Sequence, residues 1–175
     1  ESPRDSQNLG LEMVYQDLSL CNSIDVAGNL FLGREIHKNI CGLKLLDKKK
    51  MHIASTNILN DLSIKVSSTK IKVENLSGGQ RQSIAIGKAV SFDPKVLIMD
   101  EPTSALAVAE VNAVLDLIKT VSKKGVSVIF ITHRLQDIFK VCDRVMVMYE
   151  GRKVADKLIN KTTLQDLVEL IVTEH

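Results

Sequence analysis

The chain has 175 residues, of which 45% are hydrophobic and 25% are charged, and its net charge is +2. This length is enough for one domain with a sizeable core, and the composition is typical of a globular protein in water. The small net charge gives no reason to expect a nucleic-acid partner. The three cysteines are odd in number and include no C-x-x-C pair, which argues against a disulfide framework or a zinc site and favours a reducing compartment.

The chain contains no apolar run that approaches the ~18 residues needed for a membrane span. Its first five residues are polar and lack an initiator methionine, so we expect no signal peptide. The same start predicts that the chain begins in the middle of a longer protein.

The first part of the chain predicts one short strand and then helices. The strand is predicted to end at Gln16, and Ser23 is predicted to cap a helix that Gly33 ends. Residues 34 to 46 show no clear period and are expected to be irregular. A second helix is predicted to begin at about Asp47, followed by a polar connection.

A Ser-Gly-Gly turn then opens another helical pattern. Ser77 is a suitable N-cap, and Gly78 and Gly79 allow the backbone to approach a ligand closely. The free N–H groups and the positive dipole end of such a helix favour an anion, above all a phosphate. Taken alone, these three residues favour an ordinary loop with a helix cap over a phosphate site.

The pattern changes after Asp93-Pro94. A continuous apolar run ends in Asp100, and a second run from residues 126 to 131 is followed by Thr132-His133. Continuous apolarity predicts strands that are buried on both faces, as in a parallel sheet. An amphipathic helix that ends at Gly125 is predicted between the two strands.

The last part predicts a helix from about Leu135 to Val141, a strand over residues 144 to 149, and a hairpin through Glu150-Gly151. Thr162 or Thr163 is expected to cap a final helix. The alternation of strands and helices predicts an open α/β sheet, in which ligands bind beyond the carboxyl ends of the strands. Four candidate site residues fall at such ends: Gln16, Asp100, Glu101 and His133.

The two acidic residues that end the first continuous apolar run suggest phosphate chemistry. Asp100 can hold Mg²⁺, usually through water, against nucleotide phosphates. Glu101 can accept a proton from an attacking water as a general base. His133 can hydrogen-bond a γ-phosphate or position that water, although a lone histidine at a strand end is more often a packed or capping residue. Gln16 alone is most simply a solvated residue.

Together, these residues resemble an ABC-type ATPase in order and spacing. Residues 76 to 82, Leu-Ser-Gly-Gly-Gln-Arg-Gln, look like the family's signature sequence, and residues 96 to 100 look like a Walker B strand. The resemblance implies that Gln16 is the Q-loop residue, Glu101 the catalytic base and His133 the switch histidine. Residues 104 to 107 would form the D-loop.

Within the family, three segments look most like importers of simple sugars: residues 15 to 19, 31 to 35 and 101 to 106. Two features depart from the family pattern. Ala107 stands where many members have Asp, which is a mild departure. The sequence also contains no G-x-x-x-x-G-K-[ST] phosphate loop, since Gly87-Lys88 lacks the first glycine and is followed by alanine.

The resemblance covers essentially the whole chain. The fold class that it implies is α/β, a P-loop NTPase core of the ABC ATPase type with a mostly parallel sheet, a helical subdomain and the N-terminal part missing. Residues 1 to 175 would be a partial ABC ATPase domain, with residues 18 to 91 as the helical, signature-bearing subdomain and residues 92 to 175 as the C-terminal part of the catalytic core.

In the family, two ATP-binding domains meet head to tail, and each nucleotide lies between the phosphate loop of one and the signature of the other. The resemblance therefore implies that four residues contact a partner's ATP: Ser77, Gly78, Gly79 and Gln80. Asp100 and Gln16 would bind Mg²⁺, partly through water, and Glu101 and His133 would be catalytic.

The partners implied are membrane-spanning permease subunits, a second ATP-binding domain and, indirectly, a sugar-binding protein, with no nucleic acid. The location implied is the cytoplasmic face of the cell membrane. For want of a phosphate loop, the isolated chain is expected not to turn over ATP. Two alternatives remain open: a complete, non-catalytic docking or regulatory domain that supplies a signature face to an intact ATPase, and a soluble ABC role in repair or translation.

Overall fold

The computed structural model describes residues 2 to 172, which form two compact units that divide after Ile131. The first unit contains, in chain order, α1 (Pro3–Asn8), β1 (Leu11–Val14), α2 (Val26–Leu30), β2 (His37–Ile40), β3 (Leu43–Leu46), α3 (Lys48–Asp61), a 3₁₀ turn (Val73–Asn75), α4 (Gly78–Val90), β4 (Val96–Asp100), α5 (Val108–Lys123) and β5 (Ser127–Ile131). The second unit contains α6 (Leu135–Val141), β6 (Arg144–Tyr149), β7 (Arg152–Leu158), a 3₁₀ turn (Ile159–Lys161) and α7 (Leu164–Val172). The division predicted at residue 91 stays an interpretation of the sequence.

No helix between residues 2 and 172 has both the length and the apolarity that crossing a membrane requires.

A parallel sheet with strand order β1-β4-β5 forms the centre of the first unit. Strand β4 lies between the other two strands, and its side chains Leu97 and Met99 are fully buried. This central position explains its continuous apolar sequence. Helix α4 packs against β1 and α5. The predicted parallel arrangement is confirmed for these three strands.

Helix α5 follows the predicted amphipathic pattern. Gly125, with φ +92°, follows its C-cap and ends the helix as expected. Its buried positions recur at helical spacing: Val111, Val114, Leu115, Leu117, Ile118 and Val121.

The N-cap of α2 was predicted at Ser23, and this is wrong. The cap is Asp25, whose carboxylate accepts the N–H of Gly28 at 2.7 Å. Asp25 is held extended by a β-bridge to Lys72, so the helix begins only after it. The predicted start of α3 is confirmed, because Asp47 caps it by accepting the N–H of Lys50 at 3.0 Å.

The irregular structure predicted for residues 34 to 46 is also wrong, because β2 and β3 form an antiparallel hairpin. Its two-residue turn consists of Cys41 (φ +49°) and Gly42 (φ +80°), the backbone signature of a type I′ turn. All eight strand residues are exposed. The hairpin therefore has no buried face, and the sequence has no alternating pattern that would reveal it.

Strand β5 was predicted to be buried on both faces, and the structure corrects this. Within the described sheet it pairs with β4 alone, at the edge. The side chains of Ile129 and Ile131 are 51% and 46% exposed. The continuous apolar run of β5 therefore belongs to an edge strand with partly exposed side chains.

In the second unit, β6 was predicted to continue the open α/β sheet. It instead forms a separate antiparallel pair with β7, through the predicted turn at Glu150-Gly151. The predicted bounds of α6 and β6 are confirmed. Thr163 caps α7, since its hydroxyl accepts the N–H of Asp166 at 3.2 Å.

Candidate functional site

Asp100 is the last residue of β4, and Glu101 opens the turn that follows. The Glu101 N–H donates to the carbonyl of Ile131 at 2.9 Å, so the ladder with β5 continues one residue beyond the strand. Glu101 has φ +49°, a left-handed conformation that is uncommon outside glycine. The N–H and hydroxyl of Ser104 both donate to the Glu101 carbonyl, at 3.2 and 2.9 Å. The turn thus fixes two adjacent carboxylates at the carboxyl edge of the sheet, in a conformation of the kind that clusters at active sites.

Gln16 and His133 each follow a strand by two residues, and both are exposed. Gln16 was predicted to be the last residue of the first strand, and this is wrong, because β1 ends at Val14. His133 belongs to the second unit. That either side chain meets Asp100 and Glu101 stays a prediction.

Within the described part of the chain, no three His, Cys, Asp or Glu side chains are grouped in a way that would hold a metal ion. Asp100 alone is a weak cation site. Its carboxylate could bind Mg²⁺ only together with further oxygen ligands from nucleotide phosphates, which is how Mg²⁺ is usually bound beside nucleotides.

The predicted N-cap of the signature helix is confirmed. The Ser77 hydroxyl accepts the N–H of Gln80 at 3.2 Å, and the Gln80 amide oxygen accepts the N–H of Ser77 at 3.1 Å. This reciprocal capping box explains why α4 begins at Gly78. Arg81 donates to the carbonyl of Leu76 at 3.1 Å and fastens the approach to the turn.

Sequence reasoning missed a carboxylate that lies on this turn. Glu110, in the first turn of α5, accepts the N–H of Gly79 through Oε1 at 3.1 Å and the N–H of Ala107 through Oε2 at 3.3 Å. A glutamate three residues after an N-cap is a capping-box pattern, but Ala107 has no side-chain oxygen for the reciprocal bond. The sequence therefore indicates the bond from the Ala107 N–H to Glu110, but it contains no signal for the bond from the Gly79 N–H.

The two glycines of the turn face α5 and the chain that precedes it. A Cβ added at Gly79 would lie 2.7 Å from Cβ of Glu110, so no side chain fits there. A Cβ added at Gly78 would lie 3.3 Å from the terminal methyl Cδ2 of Leu106. Close approach of the protein itself thus requires at least Gly79, in addition to any approach of a ligand.

Hydrogen bonding holds the pKa of Glu110 below its usual value. The Ser77 side chain contributes most, followed by the N–H of Gly79, with smaller contributions from the Ala107 N–H and the charge of Arg81. The carboxylate is therefore ionised and lies at the N-terminal ends of both α4 and α5, where helix dipoles favour a negative charge.

At the other end of α4, Arg34 binds the helix C-terminus. Its guanidinium donates to the carbonyls of Ser91 at 3.0 Å and Lys88 at 3.4 Å, and to the Ser91 hydroxyl. Burial lowers the pKa of Arg34 and of Lys88 and raises that of Glu12, which lies near both. This half-buried charged cluster connects β1 and the segment after α2 to the signature helix.

The segment after Gln16 is shaped by a buried asparagine. The Asn29 side chain accepts the N–H of Cys21 at 2.8 Å and donates to the Cys21 carbonyl at 2.9 Å. It also donates to the carbonyls of Asp25 and Ile24, at 3.1 and 3.3 Å. Asn29 is completely buried, so these bonds fix the loop from residue 21 to residue 25 on α2.

A cavity of about 690 Å³ lies along β1 and α4, and Tyr15, Lys88 and Phe92 are among its lining residues. The lining includes neither the acidic pair at the end of β4 nor the residues of the signature turn. The candidate site therefore consists of the acidic pair and the signature turn, and this cavity is not part of it.

Comparison with known proteins agrees with this arrangement. Residues 2 to 104 match the family model described as ABC transporter. Among curated proteins, the chain is 40% identical over 172 residues to the xylose/arabinose import ATP-binding protein XylG of Sulfolobus acidocaldarius, covering 98% of this chain and 67% of XylG. It is 39% identical to the fructose import ATP-binding protein FrcA of Rhizobium meliloti, covering 95% and 66% of the two chains.

The D-allose import ATP-binding protein AlsA of Escherichia coli is 35% identical, and the match covers 94% of this chain but 32% of AlsA. The chain thus spans about two thirds of some curated relatives and about one third of others. Among solved structures, the ADP conformation of MJ1267, an ATP-binding cassette of an ABC transporter, superposes with a TM-score of 0.79 at 24% identity, over 98% of this chain and 72% of MJ1267.

The fold is that of an ATP-binding cassette, with the signature turn at the start of α4 and the acidic pair at the end of β4. Together with the match to the family model, these features show that the chain belongs to the ABC transporter family.

Proposed function

We propose that this chain belongs to the ATP-binding and ATP-hydrolysing subunit of a sugar-importing ABC transporter. The observation that carries the proposal is the identity of 40% over 172 residues with a xylose/arabinose import ATP-binding protein, in a chain that has an acidic pair after β4 and a capped signature helix. Its relatives FrcA and AlsA are likewise named for sugar import.

In the proposed site, Asp100 and Gln16 would hold Mg²⁺ together with nucleotide phosphates, partly through water. The ion would supply positive charge to the phosphates. Glu101 acts as the base for the attacking water, and the turn that fixes its backbone supports that role. His133 hydrogen-bonds the γ-phosphate or orients the water.

The signature turn serves the nucleotide of a second ATP-binding domain that meets this one head to tail. The residues assigned to that contact are Ser77, Gly78, Gly79 and Gln80. The capping box supports the assignment because it holds the turn in one conformation before a ligand arrives. Permease subunits, and through them a sugar-binding protein, complete the proposed assembly at the cytoplasmic face of the membrane.

A chimera tests the function. Residues 2 to 172 replace the homologous segment of XylG, and steady-state phosphate release is measured with Mg-ATP. We expect turnover in the chimera, loss of turnover with ATP still bound in Glu101→Gln, and weakened Mg-ATP binding in Asp100→Ala. A folded chimera that binds no ATP would contradict the proposal.

The 175-residue chain provides a second test, by calorimetry with Mg-ATP and Asp100→Ala as the control. Because the sequence contains no phosphate-loop motif, we expect neither tight binding nor turnover. Tight binding that Asp100→Ala removes would reveal a phosphate site outside that motif. Phosphate release abolished by Glu101→Gln would show that the chain is an ATPase by itself.

A further inference from the structure

The signature turn is already in contact with an anion that belongs to the chain. Glu110 accepts the N–H of Gly79 at 3.1 Å, and its side-chain carbons lie where any Cβ of Gly79 would be. Gly79 is buried, whereas Ser77 is exposed. A phosphate that approaches the turn from solvent therefore meets the Glu110 carboxylate at both residues: at Gly79, whose N–H the carboxylate accepts, and at the Ser77 side chain, whose hydrogen bond is the main cause of the lowered pKa of Glu110.

We propose that Glu110 is a latch on the signature turn, which must release the N–H of Gly79 before the phosphate of a partner's nucleotide can bind there. The inference rests on the proposed function, which assigns the turn to a partner's ATP. A carboxylate and a phosphate are both anions, and both are favoured at a helix N-terminus, so they compete for the same donor.

Release of the latch has a second consequence, because the same carboxylate also accepts the N–H of Ala107. When Glu110 leaves Gly79, the turn of residues 104 to 107 loses the bond that connects it to α4. The two loops are thereby coupled, and occupation of the signature turn reaches the residues directly after Glu101 through Glu110.

The latch is tested in the 175-residue chain with inorganic phosphate as the probe. Amide resonances of Ser77 and Gly79 are followed by NMR while phosphate is added at constant ionic strength. In Glu110→Gln the side chain keeps its shape but loses its charge. We expect half-maximal shifts at a phosphate concentration about two- to fivefold lower than in the wild type, the range for one charge at a helix N-terminus.

Asp116→Asn is the matched control. Asp116 is also on α5 and is exposed, and its carboxylate lies 3.9 Å from Lys119, away from the signature turn. The control should titrate like the wild type. Equal responses in the wild type and Glu110→Gln would overturn the latch, as would an Asp116→Asn response as large as that of Glu110→Gln or no response in any variant.

A second measurement needs no substitution. As the pH falls, Glu110 is protonated, and the amide resonances of Gly79 and Ala107 should shift along one common curve that is centred below the usual range for glutamate. Arg81 is the charged neighbour whose attraction contributes to that displacement. Independent curves for the two amides would show that no shared carboxylate links them and would overturn the latch.

The two proposals fail in different experiments. An active chimera with XylG combined with equal phosphate responses removes the latch and keeps the function. An inactive chimera combined with the expected phosphate shift removes the nucleotide role and keeps Glu110 as the group that covers Gly79.

Discussion

The guanidinium carbon of Arg34 lies 3.2 Å from the centre of the Phe92 ring. Phe92 comes directly after the C-cap of α4, so this stacked pair closes the helix end that Arg34 also binds through the Ser91 and Lys88 carbonyls. One side chain from the segment after α2 therefore satisfies acceptors and covers an aromatic ring at the far end of the signature helix.

We expect Arg34→Ala to lower the free energy of unfolding by about 2 kcal/mol, since it removes charged hydrogen bonds and a cation–π contact. Arg34→Lys should restore less than half of the loss, because a single ammonium group cannot reproduce the planar fork. Urea unfolding followed by circular dichroism measures both. Equal stability of the Lys variant and the wild type would show that charge alone matters at this position.

The two glycines of the signature turn should differ in their tolerance of alanine. Gly79→Ala forces a methyl group against Cβ of Glu110, and we expect a loss of about 1–3 kcal/mol of stability. Gly78→Ala comes closest to the flexible end of Leu106, at 3.3 Å, and meets Oε2 of Glu110 at an ordinary contact distance of 3.7 Å, so we expect a change within about 1 kcal/mol. Thermal unfolding of the two variants measures the difference. A Gly79→Ala variant that is more stable than Gly78→Ala would contradict the close contact between Gly79 and Glu110.

Asn29 should be among the costliest residues to replace on α2. Asn29→Ala leaves the part-buried N–H of Cys21 without its acceptor and removes one of two donors from the carbonyls of Cys21, Ile24 and Asp25, each of which keeps a backbone N–H. We expect a loss of about 1–3 kcal/mol. Asn29→Asp should be no milder, because it directs a carboxylate at the Cys21 and Asp25 carbonyl oxygens. Urea unfolding of the wild type and both variants tests this, with midpoints compared where the dependence on urea concentration has the same slope. A midpoint unchanged in both variants would show that Asn29 does not stabilise the loop.

The exposed edge of β5 predicts self-association of the isolated chain. Light scattering should give a mass above 19.3 kDa at millimolar concentration, and Ile129→Lys should lower it. Val108→Lys likewise replaces an exposed aliphatic side chain with lysine, on α5 at a position that is 78% exposed, and should leave the mass unchanged. A monodisperse wild-type monomer would count against the prediction.

The cysteines should differ in reactivity. Burial, with a smaller contribution from Asp143, raises the pKa of the Cys142 thiol to about 11, so about one molecule in a thousand carries the thiolate at pH 8. Hydrogen bonding from Ser23 lowers the pKa of Cys21, and Cys41 is exposed. Alkylation at pH 8 followed by mass spectrometry should modify Cys21 and Cys41 well before Cys142, with equal rates in urea. Fast labelling of Cys142 in the native chain would contradict its burial.

Elements with strong local signals were predictable from the sequence. The capping box at Ser77 defines the start of α4, the apolar period of α5 runs to Val121 before Gly125 ends the helix, and β4 shows the continuous apolarity of a central strand. In each case the residues that carry the signal lie within the element or next to it, so the local pattern and the final structure agree.

The remaining features depend on distant partners. Ser23 and Asp25 are both good caps, and the bridge from Asp25 to Lys72 decides between them. The apolar run of β5 is the same whether or not a strand covers it. At the site, the acidic pair and the signature turn were predicted, whereas Glu110 lies 31 residues from Gly79 and its bond to the turn leaves no local pattern.

The hairpin of β2 and β3 leaves the body of the first unit and returns to almost the same point, because the N–H of Asp47 donates to the carbonyl of Ile36 at 2.7 Å. The segment between them contributes exposed side chains only. An excursion whose two ends are already joined can lengthen, shorten or be exchanged for another peptide without disturbing the fold that carries it. We therefore expect a grafted epitope or purification sequence between Ile36 and Asp47 to leave the fold of the first unit intact.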